Sequence, residues 1–164
     1  MKIKLSHLVV TLLLSLIIQG CGFKLQGNYQ LPNNLKQLKL QSSDQYGELT
    51  RLVSAKLRRY QVALIDDPAL PILKLSSDSL TSSTLSLFSS GQVAEYELTY
   101  SVNYQLILPQ QPPQQFSIQM RRDYLDDPQS AQAKSREMAL IKTEMRAQAA
   151  EQIVRQLSRI KQAN

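Results

Sequence analysis

The apolar positions of the chain change period several times along its length, and each change marks an element. The clearest stretch is Tyr96 to Leu108. Tyr96, Leu98, Tyr100, Val102, Tyr104, Leu106 and Leu108 alternate there with Glu97, Thr99, Ser101, Asn103, Gln105 and Ile107. Successive side chains of a strand point to opposite faces, so this pattern predicts a strand buried on one face and polar on the other. At about 3.3 Å per residue it spans roughly 43 Å. Ser89-Ser90-Gly91 is the turn that joins it to a preceding strand, so the two form a long hairpin.

Around this hairpin the other elements follow from the same reading. Leu38 and Leu40 alternate in a first strand near residues 35–40. From Glu48 to Tyr60 the period switches to that of a helix, with Leu49, Leu52, Val53, Leu57 and Tyr60 on one face and Arg51, Arg58 and Arg59 on the other. Gln61 to Leu64 reads as a short extension of the sheet, ended by the Asp66-Asp67-Pro68 turn. Pro71 to Phe88 reads as one long polar strand. In it Leu80 is out of phase with Leu73 and Leu75 and with Leu85 and Leu87, the sign of a bulge or bend.

Three prolines between Pro109 and Gln115 make a loop. Phe116, Ile118, Met120, Arg122 and Tyr124 then share a face in a fourth strand, where an arginine stands in phase with apolar neighbours. The last element runs from near Pro128 to Lys161, with Asp127 as its N-cap and proline at the first helical position. Its stripe is Met138, Ile141, Met145, Ala149, Ile153, Leu157 and Ile160. The predicted fold is α+β: a two-layer sandwich in which a four-stranded, mostly antiparallel sheet carries two helices on one face, in the order β-α-β-β-β-α. It forms a single domain over residues 36–164, preceded by a tether at 21–35.

The N-terminus follows different rules. Lys2 and Lys4 precede an aliphatic run from Leu8 to Ile18, followed by Gly20 and the chain's single cysteine, Cys21. As a helix that run is about 16 Å long, too short for a bilayer core of about 30 Å, so residues 1–20 read as a cleaved secretory leader. Ile18-Gln19-Gly20-Cys21 resembles the bacterial lipobox, which implies that Cys21 is acylated and becomes the mature N-terminus. Several acyl chains on one cysteine anchor stably, at about 0.8 kcal/mol per buried methylene. By the same resemblance, Gly22 rather than Asp after the cysteine implies delivery to the outer membrane.

Composition narrows the chemistry. The leader removes Lys2, Lys4 and His7, leaving 17 basic against 13 acidic residues, a net +4 with no histidine and no tryptophan. Ser-His or Cys-His catalysis and a His- or Cys-ligated metal site cannot be built from that set. The pairs Asp66-Asp67 and Asp126-Asp127 are adjacent and so diverge in a strand, which is poor geometry for an acid/base dyad. No catalytic residue, cofactor or metal is expected, and an exported chain is not expected to meet nucleic acid.

Four segments carry a family resemblance: CGFKLQG (21–27), LFSSGQVAEYELTYSVNY (87–104), RRDYLDDPQSAQAK (121–134) and AAEQIVRQL (149–157). Together they resemble the LptE family of lipopolysaccharide-assembly lipoproteins, over essentially the whole mature chain. The resemblance implies two helices on a four-stranded sheet and a role without covalent chemistry. It also implies a plug, one to one, inside the outer-membrane barrel LptD, supporting that barrel's assembly, binding lipopolysaccharide, and held to the inner leaflet by its lipid.

The family's ligand positions are basic. Lys134 and Arg122 match such positions, and Arg121 and Arg136 are expected beside them. The structural alternative for Arg122 is an exposed strand end or a pair with Asp126. Ser89 departs from the pattern, because that position is basic in close relatives. Phe88, Ser89, Gly91 and Gln92, at the hairpin tip, are the expected barrel contacts, against the alternative that Phe88 caps the core. Lys142, Arg146, Arg155, Arg159 and Lys161 read as a solvated helix face. Two other classes stay open on the residues alone: an accessory or pilotin-like binding module of another outer-membrane machine, and a carboxylate-based hydrolase.

Overall fold

Each predicted period closes against a partner in the computed structural model, which describes residues 30–126 and 131–160. In chain order the elements are β1 (Gln37–Ser42), α1 (Glu48–Arg59), β2 (Ala63–Leu64), β3 (Ile72–Leu75), β4 (Ser79–Leu87), β5 (Val93–Ile107), β6 (Gln114–Leu125) and α2 (Ala131–Leu157). A single 3-10 turn at Asn33–Leu35 leads into β1. The leader, Cys21, Asp127, Pro128 and Lys161 lie outside the described residues.

Strand β5 is the spine of the sheet. Most of its length pairs antiparallel with β6, from Glu95 opposite Leu125 to Leu106 opposite Gln114. Its other edge is shared by β3 and β4, both antiparallel to it. Beyond β3 lies β1, parallel to it, and beyond β1 the two-residue β2. The sheet therefore has six segments where four strands were expected. The difference is local: the predicted strand from Pro71 to Phe88 is broken at Ser76–Asp78 into β3 and β4. Leu75 faces Tyr104 while Ser79 faces Ser101, so four residues of the bent strand span three of β5. That one-residue slip is the bulge that Leu80 signalled, and it returns Leu80 to the core face opposite Tyr100.

Both helices cover the same face. Leu49, Val53 and Leu57 of α1 and Ile141, Met145, Ala149, Ile153 and Leu157 of α2 are buried in one cluster with Leu38, Leu73, Leu75, Leu98, Tyr100, Tyr104 and Leu106. Tyr104 stacks on Phe116 at 5.0 Å between ring centres, and its hydroxyl donates to Gln156 of α2. The core begins earlier than the tether boundary implied. Leu31 and Leu35, at positions expected to be linker, are buried against it; isolated leucines among Pro32, Asn33 and Asn34 show no period that would have signalled this.

A second buried row on α2 was not anticipated. Ala150 and Val154 join the main stripe at four-residue spacing, so the helix packs on both the sheet and α1. Arg146 heads this row, and its environment corrects its reading as solvated face. Its Nε donates to Asp78 at 2.7 Å and its Nη1 to Glu48 at 2.6 Å. One guanidinium thus joins α2, the first turn of α1 and the β3–β4 bulge. Burial by itself would raise the Asp78 carboxyl, but the bond to Arg146 and its charge outweigh this and hold it below the usual range. Glu48 is likewise lowered, chiefly by its bond to Arg146. The Tyr100 hydroxyl, buried beside Asp78 without reaching hydrogen-bond geometry, ionises well above its ordinary range, through burial first and the carboxylate second.

Candidate functional site at the hairpin tip and the start of the last helix

At one end of the sheet, β5 runs between β4 and the end of β6. There β4 is exposed at almost every position. The turn at its tip follows from sequence. Gly91 N–H donates to Phe88 C=O at 2.9 Å and Phe88 N–H to Gln92 C=O at 2.8 Å, with Gly91 at φ +81°. A three-residue loop of this kind needs a left-handed residue in its last position, which glycine takes without strain.

Large apolar side chains cluster on this tip. Leu85, Leu87 and Phe88 are 48%, 60% and 43% exposed, and Leu125, at the neighbouring end of β6, is 68% exposed. Phe88 therefore does not cap the core. Ser89, Gly91 and Gln92 are exposed beside it, so the expected contact residues form one continuous surface.

The four basic candidates are not brought together. Lys134, in the first turns of α2, lies 2.5 Å from Asp126 and sits over the ring of Tyr96 at 5.2 Å from its centre. Contact with the Asp126 carboxylate raises the ammonium's pKa. Arg136 is exposed and makes no ion pair among the described residues. Arg122 lies on the helix-covered face, as its phase required, and Nη1 donates to Glu144 of α2 at 2.5 Å. Its expected structural partner, Asp126, is taken by Lys134 instead. Arg121, one residue away, points to the opposite face and lies 3.9 Å from Glu97. Lys134 and Arg136 share the start of α2, while Arg122 is tied to that helix and Arg121 is behind the sheet.

The surface offers a cation held by a carboxylate, a second cation two residues along the same helix and turned away from the first, and an apolar tip. It can exchange one anion for another and seat apolar groups. The described residues contain no group of three or more acids, histidines or cysteines arranged to hold a metal. None of their helices is long and apolar enough to cross a membrane.

Comparison with known proteins agrees with this architecture. A family model described as LptE, lipopolysaccharide-assembly, matches residues 35–157. A protein of Photorhabdus laumondii named LPS-assembly lipoprotein LptE is 41% identical over 158 residues, 93% of this chain and 87% of that one. The crystal structure of the rare lipoprotein B from Shewanella oneidensis superposes with a TM-score of 0.71 at 53% identity, covering 74% of this chain and 93% of that one. A minor lipoprotein of Acinetobacter baumannii, at 20% identity and a TM-score of 0.60, shares the fold over 76% of this chain and 91% of its own. With two helices on a curled sheet and a match of this extent in sequence, the chain belongs to the LptE family of lipopolysaccharide-assembly proteins.

Proposed function

We propose that the mature chain is an outer-membrane lipoprotein, acylated at Cys21 after loss of residues 1–20. In this reading it plugs the LptD barrel, supports the barrel's assembly and binds lipopolysaccharide on its way to the outer leaflet. It acts by contact alone, with no covalent step. Membership of an assembly family supports the broad role.

The observation that carries the finer reading is the combination at one end of the fold: an exposed apolar tip on a long hairpin and, beside it, a lysine whose one close anion among the described residues is a replaceable carboxylate. A phosphate can take the place of Asp126 at Lys134, because phosphate carries more charge and more acceptor oxygens than a carboxylate. Arg136, turned to another side of α2, adds to the local positive charge rather than sharing that contact. Arg122 and Arg121 contribute only by releasing Glu144 and Glu97, so they are the weaker ligands of the four. With Ser89 neutral, the tip meets its partner through Phe88, Leu87 and hydrogen bonds from Ser89 and Gln92.

Lys134→Gln and Arg159→Gln, measured against purified lipopolysaccharide, test the site. Both remove one positive charge, the first from a half-exposed position near the start of α2 and the second from an exposed position just past its end. Binding weakened several-fold by the first and little by the second is expected. Equal losses indicate diffuse electrostatic attraction and remove Lys134 as a site.

A further inference from the structure

At the opposite end of the molecule, the outer edge of β1 is only partly covered. β2 pairs with Gln37 and Leu38, and Ile65 N–H donates to Leu38 C=O at 3.0 Å. The chain then leaves the edge at Asp66. Alternate residues of a strand aim their backbone groups at opposite edges. Lys39 and Ser43 donate towards β3, so Leu40 and Ser42 aim outward. No strand among the described residues pairs with them there.

This free edge forms one wall of a groove of about 700 Å3, with α1 as the other wall. Leu40, Leu64 and Ile65 give it apolar ground. Among the described residues its charges are Lys39, Arg51, Arg58 and Lys74, against the single acid Asp66. Arg51, Arg58 and Lys74 are exposed and reach no acid within ion-pair distance among the described residues. Asp66 pairs with Lys39 although its own side chain is 86% exposed, which marks where a carboxylate sits in the groove and how easily another could replace it.

We propose that this groove takes an extended acidic peptide segment, which adds to β1 as an outer strand. An edge strand beside a helix is the geometry in which main-chain bonds supply affinity and the lining supplies specificity. Here the unpaired Leu40 and Ser42 offer the main-chain groups, and the net charge of the lining selects acids. Arg51 and Arg58 are two helical turns apart, about 10 Å, matched by acidic residues two to four places apart in an extended chain. A lipid phosphate would answer the cations but leave the strand edge unused, which is why a peptide is the better fit. The proposal is independent of lipopolysaccharide binding at the hairpin end.

The test begins with the full mature chain panned against a random octapeptide display library. Enrichment of sequences with several Asp or Glu and no central proline is expected; selection without acidic enrichment overturns the proposal. With a selected peptide bound, hydrogen exchange read by NMR is expected to slow at the Leu40 and Ser42 amides. The double substitution Arg51→Gln/Arg58→Gln is expected to weaken binding at least tenfold while leaving the unfolding midpoint in place. Unprotected amides at Leu40 and Ser42, an undiminished affinity in the double variant, or full displacement of the peptide by millimolar inorganic phosphate would each contradict strand addition.

Discussion

Arg146 is the residue whose loss the structure makes most informative. Arg146→Met keeps the aliphatic stem and its packing but removes the bonds to Asp78 and Glu48. The side chains involved are 19% exposed for Arg146, 14% for Asp78 and 26% for Glu48, so the carboxylates are left largely without water. Breaking a buried pair from one side costs about 3–5 kcal/mol, and partial access of water to Glu48 reduces that. A loss of about 2–3 kcal/mol is expected, or roughly 6–15 °C in the thermal midpoint for a domain of this size. Urea unfolding followed by circular dichroism measures it.

The pH dependence identifies the cause. Both carboxyls lie below their ordinary values of 3.8 and 4.5 when folded, so in the parent chain their contribution is present above about pH 5 and is lost as the pH falls through 4 and below. In Arg146→Met, burial is opposed only by the weaker influences of Tyr100 and Lys142, so it raises the Asp78 pKa. Protonation then relieves the native state, and the gap between variant and parent narrows with falling pH. Asp78→Asn in the Arg146→Met background is expected to restore stability rather than lower it further. A variant within about 0.5 kcal/mol of the parent, or an Asp78→Asn effect of the same sign and size in both backgrounds, would refute the coupling.

Other substitutions separate the tip from the core. Phe88→Asp is expected to reduce association with the barrel while leaving the isolated domain's unfolding midpoint unchanged, since the side chain is 43% exposed; co-purification and a thermal scan read the two effects. Gly91→Ala adds a methyl group with no atom within 4 Å, so its cost is the left-handed backbone alone, about 1 kcal/mol in denaturant unfolding. Tyr104→Phe removes the hydroxyl that bonds Gln156 but keeps the stacked ring on Phe116. A loss of about 1 kcal/mol is expected from the same measurement.

How much of this was legible in the sequence depended on whether a feature is local. Tyr96 to Leu108 was readable because strict alternation has one physical cause, burial of one face, and the observed strand extends it only to Val93. The helix from Glu48 was readable for the same reason. The break between β3 and β4 was half legible: Leu80 was visibly out of phase, but only the register on β5 shows a one-residue slip rather than a change of partner. Arg122 could be placed on the core face by its phase, yet its partner Glu144, 22 residues away, could not.

Arg146 shows the limit most clearly. Its stripe was widened by Ala150 and Val154, residues too small or too common on helices to argue from, and its acids come from Glu48 and Asp78, on elements far apart in the chain. The exposed tip was half legible: Phe88 stands before a serine-glycine turn with little core to fill, but only its observed exposure decides against a cap on the core. The groove beside β1 was not, because it exists only where β2 stops short.

On the proposed function, this chain acts by sitting inside a barrel and touching what passes. Affinity purification of the full-length lipoprotein from gently solubilised envelopes, with its companions identified and weighed, tests it most directly. One large outer-membrane barrel is expected in a near-equal amount, still present after stringent washing and depleted by Phe88→Asp. Recovery of the chain alone, or with the components of a different machine, would contradict it.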